Sequence, residues 1–399
     1  MLADSARPSA SPDVTEAVAR IRSWGEARDW RGYDPYDALN SPFAPVLSLG
    51  TLLGRRVLTQ AVKLSPLNLR PLLRIPRAHN AKAVALVASA YARLAAAADD
   101  EAAAREARRW LEWLVEHPAA DDGGLAWGYH FPVAVRVFEY GRNTPNTIAT
   151  SFAAQALLDG VEHLGEARFE EPARAAASYL RDRMLTSGPE GPYFSYLARE
   201  SELVHNANML AAAVLVRTGR VMGDREQVAA ARDAIATTVD RQRPDGSWPY
   251  AVGPGHGWVD NFHTAYVLES LVECARELPE LAPSLERGLA YWERELFLAD
   301  GTPKYWSDRV YPLDAHAYAD AVETWVAVGR LDDASRVAGL LIERMLDRTG
   351  YVYVQEWPRL KNRVPFVRWS TAPAFRALAG LLLARRGQPL SAATPGSPA

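Results

Sequence analysis

One pattern recurs along the chain and limits its fold more than any other feature. A short segment carrying Gly, Trp, Tyr and Pro leads into one or two polar residues. An apolar, Ala-rich helix follows, and after a brief turn comes a second helix with one charged face. The polar starts are His79-Asn80, Asn146, His205-Asn206, Asp260-Asn261, Asp314 with His316, and Trp369-Ser370. Their spacing, roughly 53 to 66 residues, is the self-similarity of a repeat architecture.

The two helices of each unit differ in kind. Between Asn261 and Leu271, the residues Phe262, Ala265, Tyr266, Val267, Leu268 and Leu271 leave no wide polar face, so this helix has to be buried on most sides. Between Asp224 and Arg243, Val228, Ala231, Ile235 and Val239 recur every three or four residues, while Arg225, Glu226, Arg232, Asp233 and Asp240 fall on other faces. That is a helix with one buried stripe and one wet face. Six buried helices alternating with six half-exposed ones predict two concentric rings, an all-α (α/α)6 toroid of six helical hairpins around a central pocket. The outer partners are expected at roughly 101–116, 168–185, 224–243, 282–297 and 332–347. The sixth has to come from the N-terminal region, where 13–27 and 44–63 both read as helical. An open solenoid usually carries polar capping repeats, whereas the final run, Ala372 to Leu383, is apolar and favours closure onto the first unit.

A toroid over 13–386, with N-terminal helices and a basic loop in 13–78 and hairpin repeats in 79–386, accounts for most of the 399 residues. Residues 1–12 and 387–399 are expected to be disordered. A net charge of −3 gives no reason to expect a nucleic-acid partner. The single cysteine, Cys274, excludes an intrachain disulfide and a Cys-based zinc site. The first residues lack a basic-then-apolar leader, and the richest apolar run, Ala83 to Ala98, is interrupted by Arg93. The expectation is therefore a cytoplasmic protein without a transmembrane segment.

Gln242 to Trp248, QRPDGSW, fits the Q-x-x-x-G-x-W pattern of squalene-cyclase-type α/α toroids. More of the chain carries another likeness: WRGYDPYD at 30–37, PLNLRPLL at 66–73, Trp127-Gly128-Tyr129, TPNT at 144–147, HNAN at 205–208 and DGSWPY at 245–250. With these residues the chain resembles the six-hairpin glycosidase-like superfamily. Within it the chain is most similar to the VpsJ-like proteins associated with bacterial polysaccharide biosynthesis. The resemblance spans roughly residues 20–386. It implies a toroid and a saccharide ligand, and it leaves the chemistry open, because relatives with this fold include hydrolases, lyases, epimerases and terpene cyclases.

In such a ring the loops entering the inner helices meet at one mouth. Those loops hold Trp127, Tyr129, Trp248, Tyr250, Trp258, Trp306, Tyr353 and Trp369. Aromatic faces stack on the apolar faces of sugar rings; the same residues in Gly-rich turns can instead plug hairpin ends into the core. Asn146, Asn206, Asn208 and His316 stand at helix starts, where they either cap the helix or face a ligand drawn to its free N–H groups. Arg70, Lys82, Arg136 and Arg368 can supply a cation for an acidic sugar.

The cluster GWVDNFHT at 257–264 is the first candidate for chemistry. Asp260 and His263 are three apart and fall on one helix face, giving a carboxylate–imidazole pair for general acid/base work. His205 with Asn208, and Asp314 with His316, repeat the theme in neighbouring hairpins. A glycosidase usually needs two carboxyl groups, for which Asp260 with Asp314 is one pair and Glu139 and Glu356 are spares. A metal site is not expected, since no H-E-x-x-H pattern occurs, and the lack of a phosphate-binding glycine loop argues against a nucleotide cofactor. Asp260 with Thr264-Ala265 resembles only a fragment of the acidic terpene-cyclase motif; Asn261, Phe262 and His263 stand where further acids belong.

Between Asp37 and Asp99 no acidic residue occurs, while Arg55, Arg56, Lys63, Arg70, Arg74, Arg77, Lys82 and Arg93 alternate with leucines. This segment reads either as a clamp on the ring or as a contact, through 55–82, for a membrane surface or a lipid-linked sugar. The expected function is thus a carbohydrate-active enzyme working on a poly- or oligosaccharide by hydrolysis, elimination or epimerisation. The alternative is a non-catalytic glycan-binding or assembly factor, with a terpenoid cyclase third.

Overall fold

The computed structural model describes residues 13–119, 124–136, 138–198, 200 and 202–386; the ends expected to be disordered, 1–12 and 387–399, lie outside the described residues. The helices in chain order begin with α1 (Val14–Glu26), α2 (Ala44–Leu47), α3 (Leu52–Leu64), α4 (Ala81–Ala98), α5 (Glu101–Glu116), α6 (Thr147–Leu164) and α7 (Glu170–Tyr179). They continue with α8 (His205–Met222), α9 (Arg225–Val239), α10 (Asn261–Ala275), α11 (Ala282–Glu295), α12 (Ala315–Ala327), α13 (Leu331–Met345) and α14 (Ala372–Arg385). Three small antiparallel ribbons join them: β1 (Val133–Ala134) with β2 (Glu139–Tyr140), β3 (Leu185–Gly188) with β4 (Gly191–Phe194), and β5 (Leu313–Asp314) with β6 (Gln355–Trp357) and β7 (Leu360–Asn362).

The inner helices α4, α6, α8, α10, α12 and α14 pack side by side in that order, and α14 closes on α4. The chain is therefore an (α/α)6 toroid. Outside this ring α5, α7, α9, α11 and α13 each cover the inner helix that precedes them, and α1 takes the sixth outer place, against α14 and α13. Side-chain pattern decides between the two N-terminal candidates. α1 buries Val14, Ala17, Val18, Ile21 and Trp24 on one face, whereas α3 buries only Thr59 and Val62 and lies over the mouth of the ring.

Inner helices are wrapped on all sides, so their residues are small or apolar nearly throughout. α4 buries every position from Ala81 to Ala92. Among the described residues it also has the length and hydropathy of a membrane span, against the expectation that Arg93 breaks such a run; 78% of it is buried inside the ring, as befits a core helix. Each inner helix starts at the same mouth, and four of the six are capped alike. Asn80, Asn146, Asp260 and Asp314 accept first-turn backbone N–H groups, satisfying donors that the helix itself cannot.

The QRPDGSW motif acts as a latch between hairpins. Gln242 donates to the carbonyls of Gly246 and Ser284, 3.0 and 2.9 Å away, tying the turn to α11. Gly246 has φ +96°, and a Cβ there would lie 2.3 Å from the Arg287 carbonyl, so the turn requires glycine.

Candidate functional site

A cavity of about 330 Å³ opens at the mouth where the inner helices begin. Its wall is largely aromatic, with Tyr36, Tyr129, Tyr196, Tyr250, Trp258, Phe262, Tyr305, Trp306 and Trp369 among the lining residues. Tyr250 and Trp258 stack with ring centres 4.7 Å apart, and Tyr36 meets Trp369 edge-on at 5.8 Å, so the walls are rigid plates rather than loose rotors.

A second cavity, about 250 Å³, lies at the opposite end of the ring. There Arg93 pairs with Glu323 at 2.7 Å, Arg217 with Asp159 at 2.5 Å and Arg220 with Glu273 at 2.9 Å. Each of these cations is already neutralised, and the network ties neighbouring inner helices together. The aromatic mouth is the better candidate site.

Three groups of polar side chains face the aromatic cavity. The first is built on the start of α10. Asp260 Oδ1 caps the helix by accepting the His263 N–H at 3.0 Å. Its other oxygen, Oδ2, accepts His263 Nδ1–H at 2.6 Å and the indole N–H of Trp258 at 3.2 Å. With Nδ1 held by the carboxylate, the lone pair of the neutral imidazole is on Nε2. His263 is about 23% exposed and lines the cavity, its ring tilted against Tyr250 with centres 4.6 Å apart.

The second group sits deeper. His316 Nδ1 donates to the Trp369 carbonyl at 2.7 Å, so Nε2 is the acceptor; the Tyr266 hydroxyl donates to it at 2.6 Å. Lys82 Nζ in turn donates to the Tyr266 oxygen at 2.9 Å and lies 4.2 Å from the Phe152 ring centre. Burial, followed by the positive charge of Lys82, holds His316 well below the ordinary histidine range, in the neutral form. Burial, followed by the charge of Arg368, brings the Lys82 ammonium down to about 7.

The third group is cationic. Arg368 is clamped by the buried carboxylate of Asp34, with one bond of 2.8 Å and a shorter one to the other oxygen, and its guanidinium lies over the Tyr129 ring. Lys63, reaching down from α3, bonds the Tyr36 hydroxyl at 2.7 Å. Lys63, Lys82 and Arg136 line the cavity with no carboxylate in ion-pair contact among the described residues, although the buried Asp320, 3.6 Å from His316 Nε2, acts electrostatically on Lys82. Asp260 is the one carboxylate among the lining residues. Asn206 adds a buried Oδ1 that bonds no group of the protein among the described residues.

The structure thus brings together Lys82, Tyr129, Arg136, Asn206, Tyr250, Trp258, Asp260, His263, Trp306, His316 and Trp369 from the sequence-based candidates. Others are elsewhere. His205 lies behind Asn206, where its Nδ1 meets Thr238 Oγ1 at 3.2 Å; burial, followed by Arg241 and Arg243, lowers its pKa to about 3. Asp314 is withdrawn into the wall, where its oxygens accept the His316 N–H, Gln355 and the Trp369 indole; burial raises it to about 6. Asn146 is a buried cap. Asn208 fastens Phe194 N–H, the Ala234 carbonyl and Thr238. Trp127 and Trp248 are core plugs, their indoles bonded to the carbonyls of Leu114 and Thr238. Tyr353 bonds Asp347 on the outside of the ring. Arg70 is fully buried, with Nε on Asp37 at 2.7 Å, and braces the N-terminal loop. Glu139 and Glu356 pair with Arg55 and Arg344.

Tyr36, Gln60, Lys63, Tyr196, Phe262 and Tyr266 line the cavity without having been singled out as site residues. Tyr266 carried a readable signal, since it is three residues beyond His263 and shares its face; in the sequence it counts simply as another apolar position of a buried helix. Tyr36 and Lys63 meet only because α3 folds across the mouth, which no periodicity announces.

No family model matches the chain, and no curated protein sequence matches it. Solved structures do. A cellobiose 2-epimerase from Bacillus thermoamylovorans is 12% identical, with 94% of this chain and 99% of that one covered at a TM-score of 0.63. An unsaturated glucuronyl hydrolase specific for heparin is 12% identical over 93% of this chain and 95% of that one, with a TM-score of 0.62. A polysaccharide lyase is 10% identical over 93% and 96%, with a TM-score of 0.58. At such identities the likeness is one of fold, and it extends over nearly the full length of each partner.

Proposed function

We propose that the chain is a carbohydrate-active enzyme that moves a proton at carbon in an acidic sugar, by elimination or epimerisation. The observation that carries this reading is the make-up of the cavity lining: two imidazoles and three basic side chains with no carboxylate in ion-pair contact, and a single lining carboxylate already committed to orienting His263. Paired-carboxylate hydrolysis needs a second acid facing the same space, and Asp314 is turned into the wall. A uronate, by contrast, fits cations and aromatic plates together. The names of the structural relatives, among them an epimerase, a glucuronyl hydrolase and a polysaccharide lyase, suit a saccharide substrate.

In this mechanism His263 Nε2 takes the proton from the carbon next to the sugar carboxylate, and Asp260 stabilises the imidazolium that forms. The electron pair moves into the carboxylate, where Lys82 and Arg136 offset the developing charge. Return of a proton from the Tyr266–His316 side to the opposite face gives the epimer. If the electron pair instead forms the double bond and expels the neighbouring glycosidic oxygen, which takes its proton from the Tyr266 hydroxyl as it leaves, the products are an unsaturated uronate and a free sugar hydroxyl. The terpenoid-cyclase reading loses ground to the same wall, which is open and charged rather than sealed and apolar.

The test is incubation of the full chain with a panel of uronate-containing oligosaccharides in deuterated water. Solvent deuterium at the carbon beside the carboxylate, or an unsaturated product, is expected, and His263→Ala should abolish either. New reducing ends without deuterium would point to hydrolysis. Tight binding with no exchange across the panel would make the protein a glycan-binding factor.

A further inference from the structure

The apolar surface left in water is concentrated in one place. Among the described residues, twelve large hydrophobic side chains are exposed, and ten of them fall between Phe43 and Leu72. Leu49 is 83% exposed, Leu72 77% and Leu53 73%. On α3 the positions Leu53, Val57, Ala61 and Leu64 recur every three or four residues on the outer side, while Thr59 and Val62 face inward. A surface helix ordinarily turns its apolar stripe to the core; this one turns it out. Contiguous apolar surface of this kind marks a contact site.

Two hydrogen bonds and one cation–ring contact make the surface continuous. Ser41 Oγ donates to the Leu73 carbonyl at 2.7 Å, and the Arg74 guanidinium lies 5.7 Å from the Phe43 ring centre. Asn362 donates to the Ser65 carbonyl at 3.5 Å, which brings the β6–β7 turn, with Arg359, exposed Leu360 and Arg363, beside the end of α3. The charge is one-sided. Between Asp37 and Asp99 the chain has no acidic residue. Arg55 and Lys361 have Glu139 and Glu356 nearby and Arg363 acts on Asp347, but Arg56, Arg74, Arg77 and Arg359 make no ion pair among the described residues.

We propose that this face docks on an anionic lipid bilayer, with leucines entering the headgroup boundary and arginines meeting lipid phosphates. Charge selects this occupant: a second copy would set like charges against each other, whereas an anionic membrane neutralises them. α3 also supplies Gln60 and Lys63 to the cavity, so docking sets the mouth of the site beside the membrane surface. The docking stands independently of the chemistry proposed for the cavity.

The experiment is flotation of the full chain with vesicles of phosphatidylcholine alone or mixed with phosphatidylglycerol. Binding to the anionic vesicles, weaker binding to the neutral ones and release by salt are expected. The triple variant Leu49→Asp, Leu53→Asp, Val57→Asp should partition at least tenfold less, with an unchanged far-ultraviolet spectrum. Arg74→Ser and Arg77→Ser, outside any helix, should each weaken binding about fivefold and keep the test decisive if the triple variant does not fold. No flotation on anionic vesicles, or flotation that the arginine variants leave intact, overturns the proposal. So does a vesicle-free dimer, seen by light scattering, that Leu53→Asp returns to monomer.

Discussion

Replacing Asp260 with asparagine separates the two duties of one side chain. Oδ1 caps α10, and an asparagine oxygen does that as well; the cap, worth about 1 kcal/mol, is retained. Oδ2 accepts from both His263 Nδ1 and the Trp258 indole. In Asp260→Asn an N–H₂ group takes its place and confronts two donors. The charge-assisted bond is lost, at about 1.5–3 kcal/mol. His263 escapes the clash by exchanging tautomer, so that Nδ1 accepts and the proton moves to Nε2, the atom that faces the cavity. A base protonated at its working atom is no longer a base, and turnover should fall by about 10²–10⁴. Urea unfolding reads the first quantity, nitrogen chemical shifts of the imidazole read the tautomer, and deuterium exchange into a uronate oligosaccharide reads the third. A variant with the exchanged tautomer that still works within tenfold of the parent would refute the role given to His263. One with the parental tautomer would refute the reading of the dyad itself.

Further predictions rest on burial and charge. His205→Gln should flatten the loss of stability in acid. The folded pKa is depressed to about 3, below the unfolded value near 6.5, so as pH falls through 6.5 the unfolded chain takes up a proton that the folded one refuses. Stability then drops by about 1.4 kcal/mol per pH unit until pH approaches 3. The variant should therefore gain about 2 kcal/mol on the parent between pH 7 and 5; equal urea midpoints at both would show that His205 titrates normally. Asp34→Asn leaves the Arg368 guanidinium buried without its carboxylate and should cost about 3–5 kcal/mol in denaturant unfolding. A loss below about 1 kcal/mol would mean that Arg368 rehydrates through the cavity. Trp306→Ala, on the half-buried rim, should weaken saccharide binding about tenfold by calorimetry with little change in melting temperature; unaltered affinity would remove that plate from the binding surface.

The ring itself was legible because the two helix types differ in a way that only two layers explain. Phe262, Ala265, Tyr266, Val267 and Leu268 demand burial on most sides, whereas α9 keeps a wet face. What sequence order cannot show is which end of a buried side chain meets the void. Trp248 and Trp258 both sit in Gly-rich loops ten residues apart. The Trp248 indole is spent on the Thr238 carbonyl in the core, and the Trp258 indole bonds Asp260 at the cavity. Nothing in their sequence neighbourhoods separates them. Tyr36 and Lys63 were equally hidden, since their meeting depends on how the N-terminal segment lies across the mouth.

The equivalent helix starts show how a repeat can furnish a site without designing each copy for it. A cap uses one oxygen of the side chain, and what happens to the remaining donor or acceptor is set by the loop that follows or precedes. Asn80 and Asn146 keep buried amide nitrogens that bond no group of the protein among the described residues, and they have no charge to offer. Asp314 has a charge, but its second oxygen is taken by Gln355, and the Trp369 indole reaches both, so its carboxylate holds the wall together. Only at Asp260 does the next residue on that face carry an imidazole within reach of the spare oxygen. Placing a histidine three residues after the cap at α12 should therefore not create a second dyad, because Asp314 has no oxygen left to orient it. The variant Tyr318's neighbour Ala317→His tests this directly: its imidazole should show no carboxylate-bound Nδ1 proton, and finding one would mean that the cap alone, and not the surrounding loop, decides which repeat becomes reactive.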